Sequence, residues 1–222
     1  TLFGYAAGLN IHADADYNTF IGENVADATM TAAADHNVGV GFNALSALTS
    51  GVQNNALGSN SLVLNTSGNY NVAIGTDALA NNSSTHNNVG VGRQAGYYTT
   101  GADNTYVGYF AGKGAAGAEA NNVGVGANAL LAITTGSYNA ILGAGAGTAL
   151  TDGHNNIAIG NLALSTSTSA GLCIAIGDDA MRSGNVTAAA DGSIAIGASA
   201  LGALTSGAGN TAVGYESQAT AQ

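Results

Sequence analysis

The chain has 222 residues with 34 Gly, no Pro and no Trp, and only 3 Lys+Arg stand against 13 Asp+Glu. A formal charge of -10 cannot neutralise a run of phosphates, which argues against nucleic-acid binding and against docking on an anionic membrane. No stretch approaches the roughly 20 unbroken apolar residues of a membrane-spanning helix, and Gly never falls every third residue as collagen requires. Yet 46% of the chain is hydrophobic, and those residues recur at fixed spacing. A repeat architecture is therefore the first thing to test.

Taken in chain order, one phrase returns from end to end. It reads Asn37-Val38-Gly39-Val40-Gly41-Phe42-Asn43-Ala44-Leu45, then Asn71-Val72-Ala73-Ile74-Gly75-Thr76-Asp77-Ala78-Leu79, and again at Asn122 to Leu130 and Asn156 to Leu164. Aligned on its central glycine it occurs at Gly4, Gly22, Gly41, Gly58, Gly75, Gly92, Gly108, Gly126, Gly143, Gly160, Gly177, Gly197 and Gly214. Seven of the twelve steps are identical in length, among them Gly41 to Gly58 and Gly58 to Gly75. The residue before the glycine is aliphatic in all copies but the first, where it is Phe3, and the residue two places earlier is mostly β-branched. In a strand these two columns share a face, and the Ala or Gly between them faces the other way.

Asn opens the phrase at Asn18, Asn37, Asn54, Asn71, Asn88, Asn104, Asn122, Asn139, Asn156 and Asn210, with Cys173 and Ser193 as substitutes. Three residues earlier stands Gly51, Gly68, Gly101, Gly136, Gly153 or Gly207, each closing a Thr-x-Gly tripeptide. That composition predicts a tight turn with positive φ at the glycine. One coil thus reads as strand, glycine bend, small second strand, polar turn, and the next strand. Coils this short leave no room for a crossover helix in a β-branched setting, so the expected fold is all-β, a parallel β-solenoid or β-roll of about thirteen coils. Stacked coils would bring the Asn side chains into a hydrogen-bonded ladder.

Further expectations follow from that register. The bulky Val/Ile columns are expected to fill the narrow interior, which leaves the Ala/Gly column and leucines such as Leu45, Leu79 and Leu130 as a long outer stripe. Such a stripe is too large to stay wet and calls for self-association. Two longer steps contain the inserts Thr31 to Asp35 and Thr187 to Asp191, which should protrude as contact points. Residues 1–222 read as a single repeat domain. Both ends fall inside a phrase without a distinct cap, the expectation for a segment of a longer fibre or for end-to-end stacking.

The chemistry-bearing residues do not converge. His36, His86 and His154 sit one or two residues before a ladder Asn, as turn residues without a second ligand column, and His12 stands apart. Asp14 with Asp16, Asp178 with Asp179, and Asp35 with His36 are loop clusters, and adjacent pairs of this kind are a poor basis for glycoside cleavage. Gly112-Lys113-Gly114-Ala115-Ala116-Gly117 matches a dinucleotide fingerprint but leads into another repeat strand at Asn122 instead of a helix. Cys173 reads as a small buried residue, and Asn65, Asn82 and Asn185 open chance glycosylation sequons. Tyr5, Tyr97, Tyr98, Tyr109, Phe110 and Tyr215 follow the bend and could stack on sugars or pack between chains. Thr shows no flat, regularly spaced array of the kind an ice-binding face needs. No catalytic, cofactor or metal site is expected.

The phrase Asn-x-Ala-Ile-Gly-x-x-Ala-Leu, at Asn71 to Leu79 and Asn156 to Leu164, resembles the head repeats of YadA-like trimeric autotransporter adhesins. Asn210-Thr211-Ala212-Val213-Gly214-Tyr215 is similar to the repeats of phage tail fibres. The resemblance covers nearly all of the chain. It implies a left-handed parallel β-roll, three chains around one axis, an extracellular location and attachment to a surface receptor, a glycan among the candidates. The period departs from that of adhesin heads, which is shorter. The competing expectation is a carbohydrate- or ice-binding solenoid, or a polysaccharide-cleaving one like a tailspike.

Overall fold

The computed structural model describes residues 1–182 and 190–219. Thirteen short strands appear, one per phrase: β1 (Leu2–Phe3), β2 (Thr19–Ile21), β3 (Val38–Val40), β4 (Asn55–Leu57), β5 (Val72–Ile74), β6 (Val89–Val91), β7 (Thr105–Val107), β8 (Val123–Val125), β9 (Ala140–Leu142), β10 (Ile157–Ile159), β11 (Ile174–Ile176), β12 (Ile194–Ile196) and β13 (Thr211–Val213). They form one parallel sheet in strict sequence order, and equivalent residues pair, Ala56 with Ala73 and Ala73 with Gly90. The fold is an all-β parallel β-solenoid.

The glycine after each strand is fixed twice over. At Gly75 φ is 128°, where a side chain is strained. A Cβ there would also lie 2.7 Å from the backbone of Gly92, the equivalent residue one coil on. Among the described residues no second strand forms beyond the bend, which corrects the expectation of one. The second and fourth residues after the glycine adopt left-handed backbone in every coil, as at Asn43 (φ 56°) and Leu45 (φ 55°). The two left-handed residues point their amides to opposite neighbours, while the amide between them bonds within the coil, Ala44 to the Gly41 carbonyl. The Asn43 N–H donates back to the Glu23 carbonyl at 3.0 Å, and the Leu45 N–H donates forward to Ser61 at 3.1 Å. This conformation costs a non-glycine residue about 1–2 kcal/mol, and the hydrogen bonds between coils hold each one in it.

The turn glycines also have a different explanation from the expected one. Gly51, Gly68, Gly101, Gly136 and Gly153 do not have positive φ, although Gly207 does. They are small because the coils touch there, and a Cβ on Gly51 would meet the Gly68 carbonyl oxygen at 2.4 Å. The left-handed residue is instead the one just before the ladder Asn, such as His36, Tyr70 or Asn87.

The strand faces are the reverse of the sequence expectation. The middle residues Ala56, Ala73, Ala158 and Ala175 are buried, whereas the flanking Ile74 (40% exposed), Leu57 (50%) and Leu142 (51%) face outward. A three-residue strand puts one side chain on one face and two on the other, and the narrow interior takes the single one. The bulk comes from across the coil, from the fully buried Leu45, Leu62, Leu79, Leu130 and Leu164. Each such Leu contributes about 1.5–3 kcal/mol of burial.

Size is traded across this gap. Ala56 is followed by Leu62, Ala73 by Leu79, Gly124 by Leu130 and Ala158 by Leu164, at the same offset in each case. Where the strand residue is large, the partner shrinks: Tyr106 is followed by Gly112 and Ile141 by Gly147. A Cβ at Gly112 would lie 2.2 Å from the Tyr106 ring. The Gly-x-Gly match at 112–117 is thus core and contact glycine, since Gly117 abuts the Thr134 carbonyl in the same way.

Candidate interaction face

The outward residues of the thirteen strands form two parallel columns. The first runs through Val38, Val72, Val89, Val123, Ile157, Ile174 and Ile194, the second through Ile21, Val40, Leu57, Ile74, Val91, Leu142, Ile159 and Ile196. At about 4.8 Å per strand and 3.3 Å per residue, this face measures roughly 60 Å by 10 Å. Its area, on the order of 600 Å², sits at the upper end of apolar patches left bare on monomers. Thr19, Asn55, Thr105 and Thr211 interrupt the first column with polar side chains, and Ala140 with a small one. Beside Asn55 lies an apolar groove of about 270 Å³ lined by Val38, Val40, Ala56, Leu57 and Ile74. Nothing on this face can do acid-base or nucleophilic chemistry. What it offers is area.

Behind the strands the ladder asparagines from Asn18 to Asn156 are buried, and Asn210 is half-buried. Each takes the backbone N–H of the next Asn on its Oδ1, and in most steps the next Nδ2 as well: 2.9 and 3.1 Å from Asn54 to Asn37, 3.0 and 3.2 Å from Asn122 to Asn104. Nδ2 also donates to the turn of the following coil, as Asn54 does to the Gly68 carbonyl at 2.8 Å. At Asn88, Nδ2 turns to Thr85 Oγ1 instead, while the N–H still donates to Asn71 at 3.0 Å. Cys173 keeps the N–H bond, 3.0 Å to Asn156, and is buried. Burial, reinforced by nearby Asp191, pushes its thiol pKa up, away from a reactive thiolate. Asn210 ends the column on Ser193 Oγ, 3.3 Å from its N–H.

The other candidate residues are dispersed. All four histidines are exposed. His36 stacks on Tyr17 with ring centroids 4.7 Å apart, and His86 Nδ1 accepts the Asn69 N–H at 3.0 Å. Asp35 ends the first insert by accepting the Asp16 N–H at 2.7 Å, and Asp191 does the same for Gly171. Thr31, Ala32 and Ala33 are exposed and Ala34 is buried, whereas Thr187 to Ala189 of the second insert lie outside the described residues, as does Asn185. Asp14 lies 3.8 Å from His12, Asp179 is held by Arg182 at 3.0 Å, and Asp178 takes the Asn161 side-chain amide at 3.1 Å. Asn65 and Asn82 are buried. Among the described residues no three His, Cys, Asp or Glu gather as a metal site would need.

One column departs from the sequence expectation. Thr49 stacks on Thr66 and Thr134 on Thr151; the hydroxyls of Thr49, Thr66 and Thr134 donate to the carbonyl of the next coil at 2.9 Å, and that of Thr151 lies 3.1 Å from the Asp152 carboxylate and 3.2 Å from the Thr168 carbonyl. The first three protons are committed to the backbone.

One cluster lies outside every sequence expectation. Tyr106 and Glu119 are buried at 0% and 2% exposure, and the Tyr106 hydroxyl, Glu119 Oε2 and Thr99 Oγ1 lie in one pocket of polar atoms that make no well-formed hydrogen bond. Burial pushes the Glu119 carboxyl from an ordinary 4.5 to about 7, against the partial pull of its own amide, the nearby Thr99 hydroxyl and the Thr100 amide. Burial, with Glu119 adding to it, drives the Tyr106 phenol well above its usual range. The signal is present in the sequence: Tyr106 breaks a column of Ala and Gly, and Glu119 falls in the turn column of Gly51 and Gly68.

No protein-family model, curated protein or solved structure matches this chain.

Proposed function

We propose that the chain is a non-enzymatic, structural and adhesive segment of an extracellular fibre, akin to a trimeric adhesin head or a phage tail-fibre shaft. In this reading three copies wind as left-handed solenoids about one axis, cover their outward aliphatic columns against one another, and present the remaining surface for attachment. The observation that carries it is the apolar face that runs along the thirteen stacked strands. Three chains of that outline close a surface that one chain leaves in water. Support also comes from the ladder and the stacked backbone bonds, which make a rod stiff along its length, and from the Asn-x-Ala-Ile-Gly phrases.

Light scattering on the purified chain tests this reading. The expected mass is three times the 21.4 kDa of one chain. A mass of 21.4 kDa at micromolar concentration would refute it.

A further inference from the structure

Two of the three cationic side chains of this acidic protein lie together. Arg93, Tyr97 and Tyr98 belong to the coil that begins at Gly92, and Tyr109, Phe110 and Lys113 to the next. The coils are tied here by the Phe110 N–H on the Arg93 carbonyl and the Tyr98 N–H on the Lys113 carbonyl, both 3.1 Å. Tyr109 and Phe110 stack at 3.9 Å. The Arg93 guanidinium stands 5.8 and 5.5 Å from the two ring centroids, and the Lys113 ammonium 4.3 Å from that of Phe110. Tyr97 and Tyr98 meet edge to face at 4.6 Å.

Two features set this patch apart. Among the described residues only Arg182 pairs with a carboxylate; Arg93 and Lys113 have none at ion-pair distance. The carboxylate one coil away, Asp77, is occupied by the side-chain amides of Asn60 at 3.0 Å and Gln94 at 3.3 Å. With 13 acidic residues available, leaving both cations on aromatic faces keeps their charge directed outward. The patch also lies after the glycine bend, off the aliphatic columns, so a sheet-to-sheet assembly leaves it open.

We propose that Arg93, Lys113 and the rings around them bind a carboxylate-bearing sugar of an acidic surface polysaccharide. Tyrosine faces suit the C–H face of a pyranose while their hydroxyls meet its polar rim. The two cations pair with the carboxylate, Arg93 in the bidentate geometry that guanidinium allows. Charge complementarity selects an acidic glycan over a neutral one. The small, polar-rimmed area selects a sugar over a second copy of the chain, for which the aliphatic face is the larger surface. This rests on the attachment half of the functional reading and names its ligand class.

Isothermal titration of the full chain with trigalacturonate, an alginate trisaccharide and the methyl ester of trigalacturonate tests the proposal. At 0.15 M salt the Debye length is about 8 Å, which screens the distant acids but not the contact pairs. The expected result is binding of at least one carboxylated probe, at least tenfold weaker for the ester. Arg93→Gln with Lys113→Gln should weaken it at least tenfold with circular dichroism and mass unchanged, and Tyr109→Ala should weaken both probe types. Equal binding of the ester, unchanged binding by the double variant, or no binding at millimolar probe would each overturn it. Assembled rods that ignore these sugars would refute this site and leave the fibre reading intact; a monomer that binds them would do the reverse.

Discussion

The coils between Gly41 and Gly92 and those between Gly92 and Gly126 share one backbone and differ in their contents. The first set steps evenly through Gly58 and Gly75, and fills its interior with Ala56 against Leu62 and Ala73 against Leu79. The second takes a shorter step to Gly108 and a longer one to Gly126, and places Tyr106 against Gly112, with Glu119 in a glycine column. The Asn ladder nonetheless runs through both, from Asn88 to Asn104 at 3.0 Å and on to Asn122 at 3.0 Å. The lesson is that the bend glycine and the ladder dictate the coil, while the core trades bulk within a coil and between neighbours: Gly90 and Gly96 are both small because Leu79 and Tyr106 from the adjoining coils fill the space beside them.

The sharpest way to break the regular coils is Gly75→Ala. Backbone strain and overlap with Gly92 together should cost about 4 kcal/mol or more, read as a lower midpoint in denaturant. Next comes a change that turns one region into the other. Gly112→Leu alone drives into the Tyr106 ring and should cost about 3 kcal/mol. Paired with Tyr106→Ala it recreates the Ala73–Leu79 arrangement, and Leu79 already tolerates φ of 49° where Gly112 has 56°. The double-mutant cycle should show coupling of about 2–3 kcal/mol.

Asn71→Ala tests whether the ladder is what the two regions share. It strands the Asn88 N–H and the Thr85 carbonyl, which Asn71 engages at 3.0 and 2.9 Å, and should cost about 2–3 kcal/mol in urea melts. The mildest probe addresses the irregular coils alone. Folded Glu119 keeps its proton up to about pH 7, whereas the unfolded carboxyl loses it near 4.5. Its stabilisation is therefore full below pH 4.5 and is lost as pH rises through about 7. Relative to Glu119→Gln, the natural chain should lose about 2 kcal/mol or more across that interval, at about 1.4 kcal/mol per pKa unit. Paired melts of the two proteins between about pH 4 and 8 measure the difference.

Much of the fold is legible in the sequence. The period, the bend glycines from Gly4 to Gly214 and the Asn column are backbone requirements, and such requirements leave the same residue at the same place. Facing is not legible, because a three-residue strand with bulk at both ends satisfies either orientation. Val72 and Ile74 can therefore be read as interior residues when they are not. The role of Gly51 is hidden because a glycine demanded by contact looks the same as one demanded by φ. The pairing of Tyr106 with Gly112 is readable as a swap of sizes between two columns. The meeting of Arg93 with Lys113 is not, because the two stand at different places in adjacent phrases, one and five residues after their bend glycines, and come together only on the Phe110 ring.

The central claim is that the outward aliphatic columns are where copies of the chain meet. Sedimentation equilibrium of a variant carrying Val72→Lys, Ile74→Lys, Val89→Lys and Val91→Lys, with its β circular dichroism verified, tests it most directly. A fall from the three-chain mass to that of a single folded chain is the predicted result. A variant that keeps the assembled mass with four lysines on that surface would contradict the claim.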